Sequence, residues 1–207
     1  MLSFIGIVFA AIPMLIVAVI IKLDSPGPVF FRQKRVGKNK KYFTIIKFRS
    51  MPITAPHDMP THQLENPESM LSGFQRFERR MSIDELPQLF NILKGDMSFV
   101  GPRPELLLYT TQYTKEQECI LWVRPGITDR SSIVYIAQDE IVGTENPVEN
   151  FEKYILPEKN RLRVEYALHQ SFPLDVELFF ETIGGVFGKA KKMADEKHEQ
   201  GAKEPQK

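Results

Sequence analysis

Residues 81–105 read MSIDELPQLFNILKGDMSFVGPRPE. Two adjacent carboxylates, Asp84 and Glu85, precede Leu86, Leu89, Phe90 and Leu93 at i, i+3, i+4 and i+7, which predicts a short amphipathic helix. Gly95 after Lys94 is a C-terminal stop signal. Gly101-Pro102-Arg103-Pro104 reads as a stiff loop: prolines on both sides fix the backbone, so Arg103 loses little entropy on meeting an anion. The carboxylates admit two readings. One is capping: Ser82-Ile83-Asp84-Glu85 fits the capping box S-x-x-E, or Asp84 itself caps and Pro87 falls third in the helix, where its missing N–H costs nothing. The other is chemistry, with both acids serving one site. On a regular helix neighbours point about 100° apart, so that reading needs an irregular helix start.

Working outward, the 207 residues suffice for one domain with a core, and a net charge of +1 indicates no partner by bulk charge, nucleic acid included. The distribution is more telling. The first 21 residues, MLSFIGIVFAAIPMLIVAVII, carry no charge, whereas residues 32–49 carry eight basic residues and no acidic one. A helix of that length rises about 31 Å, enough for a bilayer core. It lacks the basic start and small-residue cleavage site of a signal peptide. A spanning helix and one bent at Pro13, entering and leaving by the same face, both remain open. Val29–Phe31, a turn at Gly37–Lys40 and Tyr42–Phe48 read as a β-hairpin. Its basic tip suits anionic lipid head groups and a cytoplasmic location. Lys47 and Arg49 alternate with Phe48, so both should share one strand face and can meet phosphates. The lone Cys119 permits no intrachain disulfide.

Residues 52–73 read as a loop in which His57, Asp58 and His62 supply no full metal-ligand set. FQRFERR (74–80) leads into the Asp84 segment, and its Arg76, Arg79 and Arg80 fit either surface charge or a phosphate environment. Leu106–Trp122 reads as helical, as does Tyr154–Leu168, with a variable insertion over 133–160. From Phe172 a last helix places Phe172, Val176, Phe179, Phe180 and Ile183 on one stripe, by default a core face, alternatively a membrane-interface face. Residues 189–207 have the composition of a disordered tail. No Gly-rich phosphate loop is present.

The order of residues 82–105 closely resembles the catalytic segment of bacterial sugar transferases, the monotopic phosphoglycosyl transferases. Lys47-Phe48-Arg49-Ser50-Met51 resembles that family's K-F-R-[ST]-M motif, and Arg124-Pro125-Gly126-Ile127-Thr128 its R-P-G-I-T run. The sequence departs from the family in three places: Ile12 stands where a serine precedes the helix proline, the apolar segment begins almost at once where family members usually have a short basic stretch, and Asp129-Arg130-Ser131-Ser132 replaces Gly-Trp-Ala-Gln. The resemblance implies an α+β, membrane-associated single domain. Residues 1–21 would form a re-entrant membrane helix, 22–188 the cytoplasmic catalytic domain with the basic hairpin and amphipathic helices, and 189–207 the tail. It implies transfer of a phosphosugar from a nucleotide diphosphate sugar, a UDP-sugar by expectation, to undecaprenyl phosphate at the bacterial inner membrane, as the first membrane step of glycoconjugate or exopolysaccharide assembly. Asp84 would be the nucleophile and a metal ligand, with Glu85 as its dyad partner. Lys47, Arg49, Arg103 and Arg124 would hold phosphates. A carboxylate pair repels a diphosphate, so a divalent cation is chemically needed, and Mg²⁺ is the natural choice. The expected partners are the nucleotide sugar, the polyprenyl phosphate lipid, the membrane and, admissibly, a second copy of the chain. The rival reading is a non-catalytic membrane anchor or scaffold with a capped helix.

Overall fold

The computed structural model describes residues 2–56, 67–136 and 146–203; His57, Asp58 and His62 lie outside them. The architecture is α+β. Helix α1 (Leu2–Asp24) runs uninterrupted with Pro13 inside it, so the proline does not break the helix. Ile7, Ala10, Met14, Val17 and Ile21 fall on one seam of three- and four-residue steps, and this seam packs with Phe48, Phe74, Ile83 and Leu86. Most of the remaining apolar side chains, among them Phe4, Val8, Phe9, Ile12 and Leu15, are exposed. Only 17% of its most apolar window is buried. A soluble core helix would bury most of it; α1 is long and apolar enough to cross a membrane.

Strands β1 (Phe30–Val36) and β2 (Tyr42–Phe48) form an antiparallel hairpin, with Phe30 opposite Phe48 and Val36 opposite Tyr42. The first strand continues past Phe31 through the basic residues. Alternation explains this: Phe31, Gln33 and Arg35 share the face that lines a cavity, while Arg32 and Lys34 on the other face stay in solvent.

Helix α2 (Gly73–Arg80) carries the capping box that the sequence suggested for Ser82. Ser72 Oγ accepts from the Gln75 N–H, and Gln75 Oε1 accepts from the Ser72 N–H. Ser82 instead takes a left-handed conformation (φ 55°) and makes no side-chain cap. A 3₁₀ turn, Ile83–Glu85, follows, and then α3 (Gln88–Lys94), preceded by Pro87 rather than by Asp84 as cap. Neither capping register is formed. The buried face of α3 also differs from its apolar repeat, since Gln88, Leu89 and Asn91 are buried while Phe90 and Leu93 are exposed. The cause is the open edge of β2. Asn91 Nδ2 donates to the Thr44 carbonyl at 2.7 Å, and Oδ1 accepts from the Ile46 N–H at 3.0 Å.

Strand β3 (Ser98–Val100) pairs in parallel with β4 (Gly126–Thr128), the run Arg124–Thr128 supplying the second strand. Two facing glycines permit the approach. A Cβ on Gly101 (φ 154°) would lie 2.4 Å from the Arg124 carbonyl oxygen, and one on Gly126 would lie 2.2 Å from the Gly101 nitrogen. Where one helix was expected over 106–122, a short α4 (Leu107–Thr110) and a 3₁₀ turn (Gln117–Trp122) stand on either side of a break. Helices α5 (Arg130–Val134) and α6 (Pro147–Asn150) follow, then a π-helical turn (Phe151–Ile155), α7 (Leu156–His169) and α8 (Phe172–Lys203). Val100, Val123, Tyr166 and Leu178 form a core under β3, and Leu106, Tyr109, Phe151 and Ile155 form another. The α8 stripe expected in the core is exposed, Phe172 at 80% and Phe180 at 64%. The inward face is Leu174, Leu178 and Thr182, whose hydroxyl is 2.7 Å from that of Thr128. The helix runs to Lys203, into the stretch whose composition suggested disorder; that stretch is also rich in strong helix formers.

Candidate active site

A cavity of about 330 Å³ opens between the hairpin, the end of α2, the Ile83–Glu85 turn and the loop after β3. Asp84, Glu85, Lys47 and Arg103 all line it. The left-handed Ser82 and the 3₁₀ turn supply the irregular helix start that two consecutive acids need to face one site.

Glu85 is held from two directions. Arg103, at the tip of the proline-flanked loop, grips it through a two-pronged fork, Nη1 donating to Oε2 at 3.1 Å and Nη2 donating to Oε1. Lys47 donates to Oε1 at 3.0 Å from β2. Burial works to raise the Glu85 carboxyl, but Arg103 and then Lys47 overcome it, so its pKa falls well below the usual carboxylate range. Glu85 in turn raises the Arg103 pKa, while burial lowers that of Lys47.

Asp84 has the opposite surroundings. It is 9% exposed, yet its carboxylate has no hydrogen bond or ion pair among the described residues. Burial raises its pKa; Lys47 opposes the rise and Glu85 adds to it. Such a group is a poorly solvated, unpaired anion at a cavity wall, the state that favours attack on an electrophile or capture of a cation. Both Glu85 oxygens are engaged, so Asp84 is the carboxylate open to a metal. No cluster of three or more His, Cys, Asp or Glu groups exists among the described residues. That donor set does not make an all-protein cage; it fits Mg²⁺, which is held by one or two carboxylates together with substrate phosphates.

The other two expected phosphate ligands are placed differently. Arg49 lines the cavity, but its guanidinium donates to the carbonyls of Ser25, Pro26 and Pro28 at 2.8, 3.0 and 2.7 Å. It therefore anchors the turn between α1 and β1, and Lys47 alone of the pair faces Glu85. Arg124 is exposed and outside the cavity lining. Arg79, read from the sequence as either surface charge or phosphate environment, lines the cavity and draws the Asp84 pKa down. Among the described cations of the cavity wall, Arg79 is the one without a hydrogen bond or ion pair, since Arg35 donates to Gln33 and to the Pro104 carbonyl.

Comparison with known proteins agrees with the residue-level reading. A family model described as bacterial sugar transferase matches residues 1–189. A UDP-N-acetylgalactosamine-undecaprenyl-phosphate N-acetylgalactosaminephosphotransferase of Aeromonas hydrophila is 38% identical over 173 residues, covering 82% of this chain and 38% of that protein. A UDP-glucose:undecaprenyl-phosphate glucose-1-phosphate transferase of Xanthomonas campestris pv. campestris is 45% identical over 118 residues, 56% of this chain and 24% of that one. An uncharacterized sugar transferase, EpsL of Bacillus subtilis (strain 168), is 43% identical over 164 residues, 79% of this chain and 72% of that protein. The chain thus spans well under half the length of the first two relatives.

Proposed function

This chain belongs to the bacterial sugar transferase family, and on that premise we propose that it transfers a sugar-1-phosphate from a UDP-sugar to undecaprenyl phosphate, releasing UMP. The observation that carries the reading is the contrast within the dyad: Asp84 is buried and unpaired, beside a Glu85 locked by Arg103 and Lys47. An Asp84 oxygen attacks the sugar-bearing phosphorus, the bond to the UMP oxygen breaks, and UMP leaves with that electron pair. The acceptor's phosphate oxygen then attacks the same phosphorus and the aspartate oxygen departs, restoring the carboxylate. Arg79 faces the substrate phosphates with its donors free. Arg103 and Lys47 act mainly by keeping Glu85 ionised and fixed. Mg²⁺, when bound through Asp84 and the diphosphate, would neutralise charge on the transferring group.

The exposed apolar faces of α1 support a seat in the membrane, and the basic hairpin supports a cytoplasmic catalytic domain. We take α1 to enter and leave by that same face. Single cysteines at Leu2 and Leu23, both exposed, in a Cys119→Ala background should react with an impermeant maleimide only from the cytoplasmic side; labelling of position 2 from the opposite side means a spanning helix. Activity is tested with purified protein, a panel of UDP-sugars, undecaprenyl phosphate and Mg²⁺. UMP release with at least one donor is expected, and its absence across the panel rejects the assignment.

A further inference from the structure

Behind the Arg103 loop, away from the cavity, lies a second ionic cluster. Its central acid is Asp129, at the start of the stretch that departs from the family's sequence. Asp129 is 1% exposed and caps α5: Oδ1 accepts from the Ser132 N–H at 2.6 Å and from the Ser131 hydroxyl at 2.8 Å. Its other oxygen, Oδ2, accepts the backbone N–H of Arg103 at 3.2 Å. Pro102 and Pro104 have no N–H, so this is the only backbone donor of residues 102–104.

Arg163 on α7 is also 1% exposed. Its Nε lies 3.5 Å from Asp129 Oδ2 and its Nη2 lies 2.8 Å from Glu105 Oε1. One guanidinium therefore bridges the two carboxylates that bracket Arg103, the one bonded to its amide and the one two residues onward. Burying a cation this deeply is costly, and apolar side chains often fill such a space with equal stability. The bridge does what apolar packing cannot: it sets the loop in two directions at once. Arg35 adds a third tie by donating to the Pro104 carbonyl.

We propose that Asp129 and Arg163 are positioning residues for the transfer, holding the Arg103 backbone so that its guanidinium meets Glu85 as a fork. The proposal rests on the reading that Arg103 and Glu85 serve phosphosugar transfer. Asp129→Asn separates the roles of the two oxygens. Asparagine keeps one acceptor for the Ser132 cap, but its amide nitrogen cannot accept from the Arg103 N–H. UMP release by the folded variant should fall about tenfold, the order expected for losing one hydrogen bond to a charged group. In an Arg103→Lys background the same change should cost less than about twofold, because the geometry it protects is already lost. Equal losses in both backgrounds, or a loss matched by the unfolded fraction in thermal melts, overturn the proposal. Arg163→Lys, which keeps the charge but not the two-carboxylate span, should behave as Asp129→Asn does. A second readout is independent of turnover. In ¹⁵N-arginine protein, the Arg103 side-chain resonance, assigned by its loss in Arg103→Lys, should shift and broaden in Asp129→Asn. An unchanged resonance overturns the proposal even if no UDP-sugar proves to be a donor, whereas absent UMP release by the wild type rejects only the functional reading.

Discussion

The chain contains two buried ionic clusters on opposite sides of the loop 101–105. In the rear cluster, Asp129 and Glu105 face Arg163, and burial's upward push on both carboxyls is overcome by that cation. In the front cluster Glu85 is matched in the same way by Arg103 and Lys47, but Asp84 and Arg79 have no hydrogen-bond or ion-pair partner among the described residues. Matched charge fixes geometry, whereas unmatched charge at a cavity wall is available to a substrate. The loop belongs to both clusters, its backbone held by the rear one and its side chain serving the front one.

This comparison predicts a ranking in one UMP-release assay. Asp84→Asn should lose activity by on the order of 10⁴ or more, as expected for a nucleophile whose replacement cannot attack. Glu85→Gln should lose about 10²-fold and also stability, since it leaves two cations facing a neutral amide. Arg79→Ala should cost about tenfold to a hundredfold, the range of a charged hydrogen bond to phosphate. Arg124→Ala should stay within about twofold. An Arg124 effect larger than that of Arg79 would reverse the assignment of front-cluster cations.

The smallest expected effect concerns Glu78, which is fully buried with neither carboxylate oxygen hydrogen-bonded among the described residues. Burial first, and the Asp84 charge next, push its pKa up to about 8 from the ordinary 4.5. A carboxyl raised in the folded state binds its proton more tightly there than when unfolded. The stability that Glu78 contributes is therefore fully present below pH 4.5 and is lost as pH rises through about 8. Glu78→Gln should raise Tm at pH 8, at about 2–4 °C for each kcal/mol recovered, and change it little at pH 4.5. An equal shift at both pH values would show that the effect is packing rather than charge.

Much of this was legible from residue order. The uncharged run to Ile21, the alternating hairpin and the Asp84 segment each carry a strong local signal. The capping box was legible too, but at Ser72-Gly73-Phe74-Gln75 rather than at Ser82. Two S-x-x-[EQ] signatures lie ten residues apart, and only the backbone at Ser82 decides between them. The β3–β4 pairing was not legible, because three-residue strands show no periodicity and the partners lie far apart in sequence. Arg49 illustrates the limit for charges: alternation placed it beside Lys47, but the carbonyls of the α1–β1 turn capture it. The core reading of the α8 stripe failed for a related reason, since periodicity gives a face without telling what covers it.

The central claim is that Asp84, the unpaired half of the dyad, forms the bond to the phosphosugar. The direct measurement is mass spectrometry of enzyme treated with a UDP-sugar and Mg²⁺ in the absence of lipid acceptor. The account predicts a phosphosugar adduct on the peptide containing Asp84, with UMP released in an amount equal to the enzyme, and neither in Asp84→Asn. An adduct on another residue, or none under conditions where the complete system turns over, contradicts it.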